Sequence, residues 1–181
     1  MQNRLRLLFG ALLAAPLVLS AAHHGHGDFK TTTVTHELDG VSFESTIVTP
    51  AEADGELPGI LMIPNWMGPT DSSLEKARKI AGDEYVVMMA DVYGVDVRPA
   101  NASEAGEAAG KLRGDRALMR ARVEAALEAF KGHADEVGMD TSKLAAIGFC
   151  FGGGAVLEMA RGGVEIDAVV SFHGDLLSPT L

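Results

Sequence analysis

The sequence predicts an α/β fold, a mostly parallel sheet with helices between its strands and a β-hairpin at its N-terminal end. Three observations predict it. Apolar runs at 59–63, 85–90, 144–147 and 166–172 are short and unbroken, as strands buried on both faces of a parallel sheet are. Segments of helical period separate them. The run at Leu144–Ile147 passes at once into Gly148-Phe149-Cys150-Phe151-Gly152 and then into a helical segment, a strand turning sharply into a helix.

Residues 1–22 are read as an export signal and set apart from the fold. Arg4 and Arg6 precede an apolar run from Leu7 to Leu19, and Ser20-Ala21-Ala22 supplies the small residues of a cleavage site. Cleavage after Ala22 implies a secreted protein, in a bacterial periplasm; a retained N-terminal anchor is the alternative. The run is short for a membrane span, and no other stretch approaches one. Loss of two arginines takes the formal charge from −10 to −12. So acidic a chain repels nucleic acid and anionic membrane surfaces, and neither is expected as a partner. The single cysteine excludes an internal disulfide.

His23-His24-Gly25-His26 lacks a second cluster at ligand spacing, so residues 23–30 read as a flexible N-terminus and no metal or cofactor is expected. Residues 31–181 then form one domain. Thr31–Glu37 and Val41–Thr49 alternate around Leu38-Asp39-Gly40, a hairpin signal. After a polar loop at 51–58, Gly59–Ile63 is a buried strand. Thr70 or Asp71 caps a helix whose apolar stripe is Leu74, Ala77, Ile80 and Ala81, closed by Gly82. Tyr85–Ala90 is the next strand. Asn101–Lys111 is helical in composition but interrupted by Gly106 and Gly110. A firmer helix from Asp115 carries Met119, Val123, Ala126 and Phe130 at helical spacing and stops at Gly132. Residues 139–142 lead into the strand at Leu144–Ile147, a helix spans Gly153–Ala160 before Gly162, and Ile166–Phe172 is the last strand.

Glycines two residues either side of Cys150 make a nucleophile-elbow pattern, G-x-C-x-G. The glycines admit a strained turn that lifts the central side chain above the sheet, at the N-terminus of the next helix, where backbone N–H groups favour a thiolate. A dinucleotide fingerprint would need glycine at position 150, and a phosphate loop would need Lys-Ser/Thr after its glycines. The plain alternative is a buried structural cysteine.

Gly148-Phe149-Cys150-Phe151-Gly152-Gly153 closely resembles the cysteine elbow of the dienelactone hydrolase family, a branch of the α/β-hydrolases. Residues 60–68 (Ile-Leu-Met-Ile-Pro-Asn-Trp-Met-Gly), 89–94 (Met-Ala-Asp-Val-Tyr-Gly) and 170–174 (Val-Ser-Phe-His-Gly) resemble it in the same order, so the likeness runs from Thr31 to the C-terminus. It implies thiol-dependent hydrolysis of a small ester or lactone. Cys150 would be the nucleophile, with the Phe151 and Trp66 N–H groups as oxyanion donors. The Trp66 and Phe151 side chains are read as pocket lining together with Met67, and Phe149 as core.

Three departures accompany the resemblance. Asn65 stands where the family has a glutamate that handles the thiol proton. Val95 stands where the family has an arginine for the substrate carboxylate, and Arg98 is the nearby substitute. The triad's acid and histidine are expected beyond Leu181, which makes the chain a fragment lacking the last strands of the fold. His173 is read as facing the site rather than as its base, with Asp175 a weaker candidate for its acid. Ala168–Phe172 has no charge or proline to protect an edge, in keeping with a missing neighbour. The competing class is a non-catalytic periplasmic binding or thiol-reactive protein, favoured by Asn65. Substrate identity and oligomeric state stay open.

Overall fold

The computed structural model describes residues 28–178. The export signal and His23–His26 lie outside the described residues. The strands are β1 (Phe29–Leu38), β2 (Val41–Pro50), β3 (Leu57–Ile63), β4 (Val86–Met89), β5 (Met139–Phe149) and β6 (Ala168–Phe172). The helices are α1 (Asp71–Ala81), α2 (Ala102–Gly114), α3 (Arg116–Lys131), α4 (Ala134–Val137) and α5 (Phe151–Arg161). One sheet runs β1-β2-β4-β3-β5-β6, antiparallel at β1/β2 and β2/β4 and parallel at the other three pairings. No helix among the described residues is long and apolar enough to cross a membrane.

The hairpin turns at Asp39 and Gly40, both at positive φ (51° and 75°), which matches the twist of the strands it joins. It is longer than the sequence implied. Phe29 and Lys30, read as flexible, are strand residues paired with Pro50 and Thr49. Every residue of β4 is buried, as its unbroken apolar run required. One sheet face packs Leu61, Ile63 and Met88 against Met119, Val123, Leu127, Phe130, Phe151 and Met159 of α3 and α5. The other face packs Val48, Met62, Val87 and Met89 under Ala77 and Ala81 of α1.

Three further elements differ from the sequence reading. α2 is continuous through Gly106 and Gly110. Each glycine costs about 1 kcal/mol relative to alanine, but the cap from the Asn101 side chain and the buried stripe Ala105, Ala109 and Leu112 hold the helix. β5 starts at Met139 rather than after Ser142, with a register shift opposite Pro58/Gly59. α4 was not anticipated; it is a four-residue turn closed by Gly138 in the left-handed conformation.

β6 lies at the edge of the sheet, and α1 leaves its outer face uncovered. Val170 and Phe172 are 44% and 45% exposed, paired in register with Ile147 and Phe149. The segment after β6 folds back onto the helices. Arg116 Nη2 donates to Leu177 O (3.3 Å) and Arg161 Nη2 to Leu176 O (2.9 Å). Fully buried Glu158 holds Arg120 and Arg161 at 2.7 and 2.8 Å.

His36 of β1 stacks on Phe43 with centroids 4.9 Å apart, and neither ring nitrogen has a hydrogen-bond partner. Burial pushes its pKa below 6.5, against a smaller opposing pull from Asp91. With the folded pKa below the unfolded one, the unfolded chain takes up the proton first. The stability is therefore whole above the unfolded pKa and is lost as pH falls through the folded pKa. Thermal melts from about pH 7.5 to about pH 5.5 should show a falling midpoint, and His36→Phe should flatten that fall. An equal slope in the variant would assign the acid sensitivity elsewhere.

Candidate active site

The parallel pairing of β3 with β5 sets Ile63 opposite Gly148, so the loop after β3 and the turn after β5 emerge at the same end of the sheet. Cys150 is the single residue between β5 and α5 and has φ 55° and ψ −112°, a conformation that strains a side-chain-bearing residue. Its N–H donates to Phe172 O of β6 (2.9 Å). A Cβ on Gly148 would lie 2.0 Å from Gly152 O, and one on Gly152 would lie 2.1 Å from Ile63 O and 2.4 Å from Pro64 O. The two glycines are required by backbone contact, as the elbow pattern implied. Cys150 is half-buried, and no acidic residue occupies the first turn of α5. The thiol thus sits at the positive end of an 11-residue helix without a carboxylate there to offset it.

Phe151 is the first residue of α5, so its N–H has no acceptor within the helix. The Trp66 N–H has no partner among the described residues. Close packing of Gly152 on Ile63 O and Pro64 O brings the start of the Trp66 loop against the first turn of α5. That loop is rigid. Asn65 O accepts from Gly68 N (2.9 Å), Asn65 Oδ1 accepts from Met67 N (3.0 Å), and Tyr93 Oη donates to Trp66 O (2.9 Å).

Tyr93 is held from behind by Asp91, a fully buried carboxylate that accepts from the N–H groups of Tyr93 (2.9 Å), Gly94 (3.1 Å) and Glu44 (3.3 Å). The Asp91 N–H donates to Ser45 Oγ (3.0 Å), and buried Arg122 donates to Val92 O and Tyr93 O, both at 3.0 Å. Burial, with the nearby Cys150 and Asp91, pushes the Tyr93 hydroxyl far above its ordinary pKa, against Arg113. It stays protonated and keeps donating to the Trp66 carbonyl. The Asp-x-Tyr-Gly segment flagged the place; the role of Tyr93 as a bridge to Trp66 was not read from it.

The other predicted residues are placed as follows. Met67 is half-buried in the Trp66 loop. Arg98 is occupied: it donates to Asp91 Oδ2 (2.8 Å) and Gly94 O (2.6 Å). His173 follows Phe172 beside the elbow, exposed, at φ 43°. Asp175 is turned elsewhere, paired with Arg116 at 3.5 Å and accepting from Leu177 N (3.0 Å), so it does not orient His173. The reading of Phe151 as pocket lining is overturned. Phe151 is 2% exposed and belongs to the core, tilted against Tyr93 with centroids 5.4 Å apart. Phe149 is half-buried against the core cluster on the α1 face, stacked on Phe172 at 5.0 Å with Lys76 Nζ of α1 4.0 Å from its ring centroid. Phe149 shares the strand parity of Ala145 and Ile147, which is the signal that places it there.

A family model for dienelactone hydrolases matches residues 43–181. The chain belongs to the dienelactone hydrolase family. It is 34% identical to a solved dienelactone hydrolase-like promiscuous phosphotriesterase from metagenomic libraries, with a TM-score of 0.76, over 83% of this chain and 62% of that one. The dienelactone hydrolase of Anabaena variabilis (19% identity, TM-score 0.60, 81% of this chain and 64% of that one) shares the fold. So do fungal esterases from Rhizomucor miehei (16%, 0.60, 83% and 46%). No curated protein matched. The α/β-hydrolase-like architecture is thereby shown, and the chain spans about three fifths of the length of the two dienelactone hydrolase structures.

The contacts of the elbow glycines make a paired prediction. Gly152→Ala should cost more than about 4 kcal/mol, because backbone rather than a movable side chain is in the way. Gly110→Ala, in open space on α2, should stabilise by about 0.5–1 kcal/mol. Urea unfolding of both variants checks this, and a well-folded Gly152→Ala would contradict the geometry.

Proposed function

We propose that the complete protein hydrolyses a small ester or lactone through a Cys150 thioester, after export to the periplasm under its N-terminal signal. The observation that carries this reading is the strained backbone of Cys150 between two glycines, with its thiol at the N-terminus of α5. The thiolate sulfur attacks the carbonyl carbon, and the carbonyl π pair moves onto oxygen. The Phe151 and Trp66 N–H groups meet that oxyanion. Collapse re-forms the carbonyl and breaks the C–O bond, and the leaving alkoxide (the ring oxygen in a lactone) takes a proton from the base. Water then adds to the thioester, releasing the carboxylic acid and the thiol.

The base and its acid are proposed to lie on residues that follow Leu181 in the complete protein, so that this chain alone does not turn over. The 62% span of the metagenomic relative and the exposed β6 edge support a fragment. Asn65 cannot take up the thiol proton, so activation rests on the helix terminus and on that base. The relative's description as a promiscuous phosphotriesterase makes phosphotriesters a second class worth assaying.

The test is hydrolysis of an activated ester by the complete protein and its Cys150→Ala variant at equal folded concentration. Wild type should exceed the variant by at least about 10³-fold. Equal rates would make Cys150 structural, and a non-catalytic binding protein would replace this reading. A natural stop codon after Leu181 would overturn the fragment.

A further inference from the structure

We propose that His36 of β1 regulates the site by proton uptake: when its imidazole is protonated, the Trp66 loop is loosened through Phe43, Arg122 and Tyr93. The proposal rests on the reading of the Trp66 N–H as an oxyanion donor and concerns what controls that donor. No step of the proposed hydrolysis uses His36. It is half-buried, and both its ring nitrogens are closed off from solvent without a hydrogen-bond partner. An imidazole carries a donor and an acceptor, so leaving both unsatisfied costs folding free energy that a phenylalanine ring would not. What histidine adds at this position is a charge that can be switched on.

Phe43, the residue opposite His36 across the hairpin, is fully buried. Its ring takes the imidazole in a near-parallel stack, with centroids 4.9 Å apart and planes 11° apart. The same ring holds the Arg122 guanidinium, whose central carbon is 5.2 Å from the centroid. A group that can become a cation thus shares one buried ring with a group that already is one. Arg122, buried on α3, donates from Nη1 to Val92 O and Tyr93 O, both at 3.0 Å. Tyr93 Oη in turn donates to Trp66 O at 2.9 Å. Direct contacts therefore run without a gap from the imidazole to the loop that carries the donor.

The charged groups that face His36 are Asp91, from the turn after β4, and Arg122, from α3. From β2 the same face presents Phe43 and Ser45, which are uncharged. On β1 itself, Glu37 has the opposite parity and accepts from Ser42 Oγ. Burial lowers the pKa of His36 and Asp91 opposes this by less, so the ring is uncharged near neutral pH and takes its proton below 6.5. An imidazolium there is a second cation against the Phe43 ring, and like charges repel strongly where water is excluded. Arg122 relieves that repulsion by drawing back from the ring, and its two bonds to the Val92 and Tyr93 carbonyls weaken as it does. The turn then holds Tyr93 less firmly, and the Trp66 loop opens more often.

The experiment needs no turnover and uses this chain. Trp66 is its only tryptophan, so tryptophan fluorescence reports the loop alone. Quenching by acrylamide is followed from about pH 7.5 to about pH 5, at a temperature where far-UV circular dichroism shows the fold intact throughout. In wild type the quenching constant should rise about twofold, with a midpoint below 6.5 that coincides with the His36 titration read by proton NMR. His36→Phe and His36→Gln, which cannot take up that proton, should each give a flat profile; the second keeps a polar side chain where the first does not. A flat wild-type profile, a rise that survives both substitutions, or a midpoint away from the His36 titration overturns the proposal. Cys150→Ala should show the same rise as wild type, so failure of the nucleophile reading leaves the coupling standing. In the complete protein, a His36-dependent rise in quenching without a His36-dependent fall in ester hydrolysis would count against Trp66 as a donor and leave the coupling in place.

Discussion

The approach of bare backbone to bare backbone at the elbow is the constraint on which the rest of this structure depends. Gly148 faces Gly152, and Gly152 faces the carbonyls of Ile63 and Pro64, at distances where no Cβ fits. This contact lets α5 start directly above the ends of β3 and β5. It also forces Cys150 into a positive φ and turns its side chain out of the sheet. A second close approach, of Gly174 on Gly153 and Gly154, seats the segment after β6 along the same helix. Strain at one residue is sustained because the surrounding β3, β5, β6 and α5 over-determine it.

The donor side of the site rests on a separate buried network. Asp91 uses its carboxylate to fix the 91–94 turn, Arg122 fixes the same turn through two carbonyls, and Tyr93 passes that order to Trp66. A polar group of this kind is tolerable at zero exposure because three N–H donors and Arg98 satisfy its oxygens. The result is that a loop with little regular structure is tied at Trp66 to the buried 91–94 turn. Fold and chemistry meet here. The same bonds that hold Asp91 brace the loop that carries Trp66.

Much of this was legible in the sequence, and the reasons differ by element. Asp39-Gly40 specified its hairpin turn locally, and the unbroken apolar runs specified β3, β4 and the end of β5 because only a doubly covered strand needs them. The elbow was legible because its glycines answer a steric demand that no other residue meets. α2 was misread because glycine propensity is a weak term against a cap and a buried alanine stripe. Phe151 was read as pocket lining but is core, because hydrophobicity alone does not tell a lining side chain from a buried one. Arg98 was offered to a substrate carboxylate, and its engagement by Asp91 was not foreseen. That pairing depends on the 91–94 turn, which the Glu44 N–H, Ser45 and Arg122 hold from distant parts of the chain.

The central claim is that this geometry makes Cys150 a nucleophile toward an acyl carbon, and acyl capture tests it most directly. The chain is mixed with an activated ester, quenched in acid, and the peptide containing Cys150 is examined by mass for an acyl thioester. The native chain should acquire the acyl group faster than the same chain unfolded in urea at the same pH, because the folded helix terminus and the two N–H donors are present only in the former. A native chain acylated no faster than the unfolded one would contradict the account.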